Sequence, residues 1–225
     1  MTTLTPDVDA LALDVYGTLV DTGGQVDRLR SVVGDRAPAF SDAWRQVQLE
    51  YTFRRAVMRD WVDFGVCTAQ ALDAVAQRFE VALTDDERQG LLDGYRRLPA
   101  YDDAREALQR LRDSGVRAVA FTNGVEASAR DLLDHAGLLP LLDDVVTVEP
   151  VQSFKPDPAV YAHLLATLDL RAERVALVSG NSFDIIGAKH VGLAAVWVRR
   201  SPAAALDPWG VSPDRTVSAL TELLD

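Results

Sequence analysis

Four short stretches carry the residue types that do covalent or acid–base chemistry: "DVYGTLVD" (14–21), "FTNG" (121–124), "FKPD" (154–157) and "SGNSFD" (179–184). They supply Asp14, Tyr16 and Thr18, then Thr122 and Asn123, then Lys155, then Ser179, Asn181 and Asp184. A carboxylate can act as nucleophile or base, a lysine beside it keeps it ionised, and amides and hydroxyls hold it or meet charge that develops in a reaction. Any one of these is equally well a turn or cap residue. The set is more telling, because each group follows directly on a short apolar run.

Those runs must place the chemistry. "ALALDVY" (10–16), "RAVAFTN" (117–123), "RVALVSGN" (174–181) and "AAVWVRR" (194–200) read as strands buried on both faces, and "VVTVEP" (145–150) as a further strand. Helical periods lie between them over 103–115, 127–138 and 158–170, with Gly115 and Gly137 placed as C-terminal caps. This alternation predicts an α/β fold: a Rossmann-like parallel sheet with helices on both faces and right-handed crossovers. In such sheets ligands bind beyond the carboxyl ends of the strands, where all four stretches fall. The region 22–99 breaks the alternation with successive helices over 41–58, 68–80 and 84–98, with Ser41 and Thr84 as their N-caps where marked. The expected organisation is a core of 1–21 and 100–225 with an all-helical cap of 22–99 over the sheet edge. The tail reads as loop, then a short closing helix.

Composition narrows the partners. The 225 residues carry net charge −11 and no basic run, which argues against nucleic acid and anionic membrane. With Cys67 alone, no internal disulfide forms. No apolar run reaches membrane-spanning length, and the N-terminal stretch lacks the basic and apolar regions of a signal peptide. A cytoplasmic protein is expected. Lys155 is one of only two lysines in the chain.

In order and spacing, the four stretches and the following "GAKHVG" resemble the motifs of the haloacid dehalogenase superfamily over nearly the whole length. The resemblance implies that Asp14 is a covalent nucleophile. Most members use magnesium, with a second aspartate two residues after the nucleophile and another four residues before the last acid. Here those positions are Tyr16 and Gly180. Magnesium relies on oxygen ligands, carboxylates above all, so no metal and no cofactor is expected. Tyr16 is similar to the residue of the L-2-haloacid dehalogenase branch. "AWRQVQLEY" (43–51) and "DFGVCTAQAL" resemble the cap of that branch, which brings in Arg45 and Phe64.

The resemblance implies hydrolysis of small (S)-2-haloalkanoic acids to 2-hydroxy acids through an ester on Asp14. Lys155 would keep Asp14 ionised, and Thr18 and Ser179 would hold its second oxygen. Arg45 and Asn123 would meet the departing halide, with Phe183 beside it. The substrate carboxylate would rest on backbone N–H groups near Thr122 and Asn123. Asn181 and Asp184 would position or activate water. Tyr16, Gln46, Leu49 and Phe64 would line the alkyl pocket, and Tyr161 would anchor Lys155. Thr122, Gly180 and Phe183 depart from the serine, serine and tryptophan frequent in that branch, which bears on substrate range. Partners are then the haloacid, its halide product, and a second copy in a homodimer. A fluoroacetate-type defluorinase, a phosphatase with a degenerate metal site, and a non-catalytic binding protein stay open as alternatives.

Overall fold

The computed structural model describes residues 8–224. The stretch 1–7, which enters the signal-peptide reading and the expected core, lies outside the described residues. Six strands form one sheet: β1 (Ala10–Asp14), β2 (Arg117–Thr122), β3 (Asp144–Thr147), β4 (Val175–Ser179), β5 (Ala194–Val198) and β6 (Arg215–Val217). Their order is β3-β2-β1-β4-β5-β6, with every pairing parallel. This is the doubly wound, Rossmann-like arrangement expected. The chain steps outward from β1 to β3, then returns to β4 on the other side of β1. Right-handed crossovers in the two directions put helices on opposite faces. Ala10–Leu13 are completely buried, as a central strand covered on both faces requires.

The order reverses between β1 and β4, and a crevice opens there beyond the strand ends. Asp14 closes β1 and Ser179 closes β4, so the first and last motifs meet because their strands are neighbours.

A helical block follows β1: α1 (Val26–Val33), α2 (Ala37–Met58), α3 (Phe64–Arg78) and α4 (Asp85–Tyr95). Its interior holds Phe40, Trp44, Leu72 and Leu91, all buried. Helix α2 begins earlier than expected. Pro38 stands in its first turn, where a missing N–H costs nothing, so Ser41 lies inside the helix rather than capping it. Thr84 does cap α4, with Glu87 reciprocating in a capping box. The block leaves and rejoins the sheet at one point. Val20 bridges Ala100, and the Asp21 N–H donates to the Pro99 carbonyl at 2.8 Å.

The remaining helices are α5 (Ala104–Ser114), α6 (Glu126–His135), α7 (Pro158–Leu168) and α8 (Ser182–His190). Gly115 caps α5 with φ of +76°, and Gly137 follows α6 with φ of +68°, as expected. Two further readings are corrected. "VVTVEP" is a strand only to Thr147, after which a 3-10 turn with Pro150 takes over. The tail holds a strand, β6, before its closing 3-10 turn. Helices α1 and α8 were not marked. Cys67 is buried, which pushes its thiol up to about 11. Among the described residues no helix is long and apolar enough to cross a membrane.

Candidate active site

Asp14 sits at the end of β1, and its two oxygens have different surroundings. Oδ2 accepts from Thr18 Oγ1 at 2.7 Å, from Asn181 Nδ2 at 2.7 Å and from Ser179 Oγ at 3.3 Å. Oδ1 accepts from Lys155 Nζ at 2.8 Å. Asp14 is buried, so water does not compete strongly for either oxygen. Thr18 does double duty, since its Oγ1 also accepts the Gly180 N–H at 2.9 Å and ties the turn after β1 to the turn after β4. Asn181 Nδ2 also donates to the Tyr16 carbonyl at 2.9 Å.

Lys155 lies completely buried between Asp14 and Asp184. Its Nζ donates to Asp14 Oδ1, to Asp184 Oδ2 at 2.7 Å and to the Phe121 carbonyl at 3.0 Å, using all three protons. It also stands 4.6 Å from the centre of the Phe121 ring. Burial alone would depress the ammonium, but the two carboxylates outweigh it and hold Lys155 above the ordinary lysine range.

Asp184 is fully buried, and burial pushes its carboxyl up while Lys155 pulls it back. Its Oδ1 accepts from the Tyr161 hydroxyl at 2.8 Å. Tyr161 therefore anchors Asp184 and not Lys155, a correction to the sequence expectation. Gly187 makes that possible, because a Cβ there would stand 2.3 Å from the Tyr161 hydroxyl. Asp184 is completely buried, with Lys155 on one oxygen and the Tyr161 hydroxyl on the other.

Asn123 Oδ1 accepts the Lys155 backbone N–H at 2.9 Å, which fixes the amide and leaves Nδ2 as its donor end. Thr122 Oγ1 is occupied by the Gly124 N–H at 3.2 Å. Helix α6 starts only at Glu126, whose N–H already donates to Glu149. The N–H groups of Gly124 and Glu126 are thus already committed.

The helical block contributes from above. Arg45 on α2 is half-buried and donates to the Tyr16 carbonyl at 3.3 Å, with its guanidinium carbon 6.0 Å from the Tyr16 ring centre. The Tyr16 ring lies 5.2 Å from Phe64 and 5.8 Å from Tyr95. Burial holds the Tyr16 phenol well above its usual range, so it is a neutral wall. Tyr16, Phe64, Thr68, Leu92, Tyr95 and Gly124 line a cavity of about 110 Å³ between the block and the sheet edge. Phe183 at the start of α8 packs edge-on against Phe53 of α2 at 5.1 Å. Leu49 is half-buried. Gln46 is exposed, and no contact places it at the site.

Three residues here carried no expectation. Gln48 and Tyr95 stand behind Arg45, and the i,i+3 spacing from Arg45 to Gln48 was the available signal. Arg200, beyond β5, donates to the Thr18 carbonyl at 2.5 Å and to Asp103 at 2.6 Å, and its guanidinium carbon lies 4.0 Å from the centre of the Tyr101 ring.

The donor set does not fit magnesium. Positions 16 and 180 offer a phenol and no side chain, and Asp14 and Asp184 are both spent on one ammonium. Gly180 could not regain an acid without moving the chain, since its Cβ would stand 2.4 Å from the Gly17 carbonyl oxygen.

The chain belongs to the haloacid dehalogenase-like hydrolases, whose family model matches residues 8–192. It is 34% identical over 217 residues to (S)-2-haloacid dehalogenase 1 of Pseudomonas sp. (strain CBS-3), covering 96% of this chain and 95% of that one. It is 32% identical over 218 residues to the (S)-2-haloacid dehalogenase of Pseudomonas sp. (strain YL), covering 97% and 94%. A solved structure of L-2-haloacid dehalogenase from Xanthobacter autotrophicus with chloropropionic acid covalently bound superposes with a TM-score of 0.87 at 28% identity, covering 96% of each chain.

Proposed function

We propose that this protein hydrolyses small (S)-2-haloalkanoates to 2-hydroxy acids, without a metal, through an ester on Asp14. The observation that carries the reading is the unequal environment of the Asp14 carboxylate. Three donors fix Oδ2, while Oδ1 meets Lys155 alone and keeps a lone pair for attack. Oδ1 bonds to the carbon bearing the halogen as the carbon–halogen bond breaks, and the electron pair leaves with the halide. Water then adds to the ester carbonyl carbon, the bond from that carbon to Oδ1 breaks, one proton of the water goes to the departing hydroxyl oxygen and the other to solvent, and the Asp14 carboxylate and the 2-hydroxy acid of inverted configuration are released.

Arg45 and Asn123 Nδ2 stabilise the departing halide, whose charge grows in the transition state. Phe183 packs beside it. Tyr16, Leu49 and Phe64 hold the alkyl group. Lys155, kept charged by Asp14 and Asp184, is the ion-pair partner of the nucleophile in a dry setting. The helical block acts as a cap over the sheet edge, and the names of the relatives support the substrate class. A homodimer belongs to the same reading, supported by the exposed Val57 and Met58 near the end of α2.

Halide release from each enantiomer of 2-chloropropionate, with and without EDTA, tests this beside turnover of p-nitrophenyl phosphate with Mg²⁺. Chloride is expected from the (S) enantiomer only and is unaffected by EDTA. Magnesium-dependent phosphate release without chloride would sink the proposal.

A further inference from the structure

A line of buried hydrogen bonds stands behind Arg45 and crosses three helices of the block. Gln48, one turn along α2, is completely buried. Its Oε1 accepts from Arg45 Nη1 at 2.7 Å and from the Tyr95 hydroxyl of α4 at 2.8 Å. Its Nε2 donates to Thr68 Oγ1 of α3 at 2.6 Å, and that hydroxyl donates on to the Phe64 carbonyl at 2.9 Å. Both lone pairs of Gln48 Oε1 are therefore in use, and the amide cannot turn over without setting its NH2 against the Arg45 guanidinium and losing that bond. The other end of the guanidinium is held by the Tyr16 carbonyl.

The acceptors described for Arg45 are thus both neutral, and among the described residues it forms no ion pair. Other arginines of the block do pair with carboxylates: Arg30 with Asp27, Arg55 with Asp60 and Arg88 with Asp73. A neutral amide can aim a guanidinium without cancelling its charge. A carboxylate in the same place would aim it equally well and oppose its field at the site.

We infer that Gln48 and Tyr95 are positioning residues: together they aim Arg45 at the departing halide and leave its positive charge uncompensated. The inference rests on the reading of Arg45 given above. Chloride concentrates its charge more than bromide and is the poorer leaving group, so its departure depends more on a well-aimed cation.

The test is halide release in a single turnover, with enzyme in excess, from (S)-2-chloropropionate and (S)-2-bromopropionate. Tyr95→Phe removes one hydroxyl and keeps the stacked ring. It is expected to slow chloride release about tenfold, and Gln48→Leu about 100-fold, as misplaced catalytic groups do. Bromide release should slow less, so the bromide-to-chloride rate ratio rises in both variants. Gln48→Glu keeps the acceptor and adds a charge, and it too should slow chloride release more than bromide release. If Gln48→Leu does not fold, Tyr95→Phe and Gln48→Glu carry the test. Folded variants with unchanged rates, or with both halides slowed equally, overturn the inference, since a merely structural role moves the ratio nowhere. An unsubstituted protein that releases no halide at all overturns the function reading and this inference with it.

Discussion

Lys155 gives each of its three protons to a buried acceptor, and two of those acceptors are carboxylates. Lys155→Met would leave Asp184 fully buried with its Tyr161 bond and no cation. Breaking a buried pair in this way costs about 3–5 kcal/mol, which urea denaturation at pH 7 measures. The sign with pH follows. Burial already raises Asp184, and losing Lys155 raises it further above the unfolded value near about 3.9. An acid raised in the folded state contributes stability below its unfolded value and loses it as pH rises through the folded value. The variant should therefore gain stability on going from pH 8 to pH 5, and a flat profile contradicts this account. At this scale most of the site was legible. Asp14, Thr18, Ser179, Asn181 and Lys155 come together because each follows a parallel strand. Gln46 was expected at the pocket, but it is exposed, whereas Gln48 is buried behind Arg45. A helix turns 100° per residue, so position 48 shares the face of Arg45 and position 46 does not.

The turn after β1 and the turn after β4 touch through Gly17 and Gly180, and that contact explains a glycine where an acid might be sought. Gly180→Ala would push its Cβ into the Gly17 carbonyl and displace Thr18, which bonds to both Asp14 and the Gly180 N–H. We expect a loss of about 1–3 kcal/mol in stability and roughly 100-fold in halide release, read by thermal denaturation and by single-turnover assay. Wild-type activity in this variant would show that the turns tolerate separation. Among elements, long periodic helices and buried strands were readable. Strand β6 was not, because three residues in a proline-containing tail carry too short a pattern for a period of two. Helix α8 was hidden because its first turn is also the fourth motif. The start of α2 was misplaced because a serine looked like a cap while Pro38 was the true signal.

Across the whole molecule, Arg200 joins parts far apart in sequence. It reaches the Thr18 carbonyl in the nucleophile turn, and Asp103, which also accepts the Leu220 N–H at 2.6 Å. It lies over Tyr101, whose N–H donates to the Leu19 carbonyl beside the junction with the helical block. Arg200 and Asp103 are mostly shielded from water, so Arg200→Met leaves an acid without its partner and costs about 3 kcal/mol, or a melting temperature lower by roughly 6–12 °C. A smaller shift, on the scale of an exposed pair, would show that Arg200 does not bind these segments together. No local pattern announces such a residue, since its partners lie 97 and 182 positions away. The junction itself has a consequence for descent. The chain leaves the sheet at Asp21 and returns at Pro99, and those two residues are hydrogen-bonded neighbours. A segment whose ends already touch can be exchanged by recombination while strand order and register stay as they are. Asp14, Lys155 and Tyr16 lie with the sheet, and Arg45, Phe64 and Tyr95 with the helical segment. Replacing that one continuous stretch would remake the surface facing Asp14 while the Asp14–Lys155 pair stays as it is.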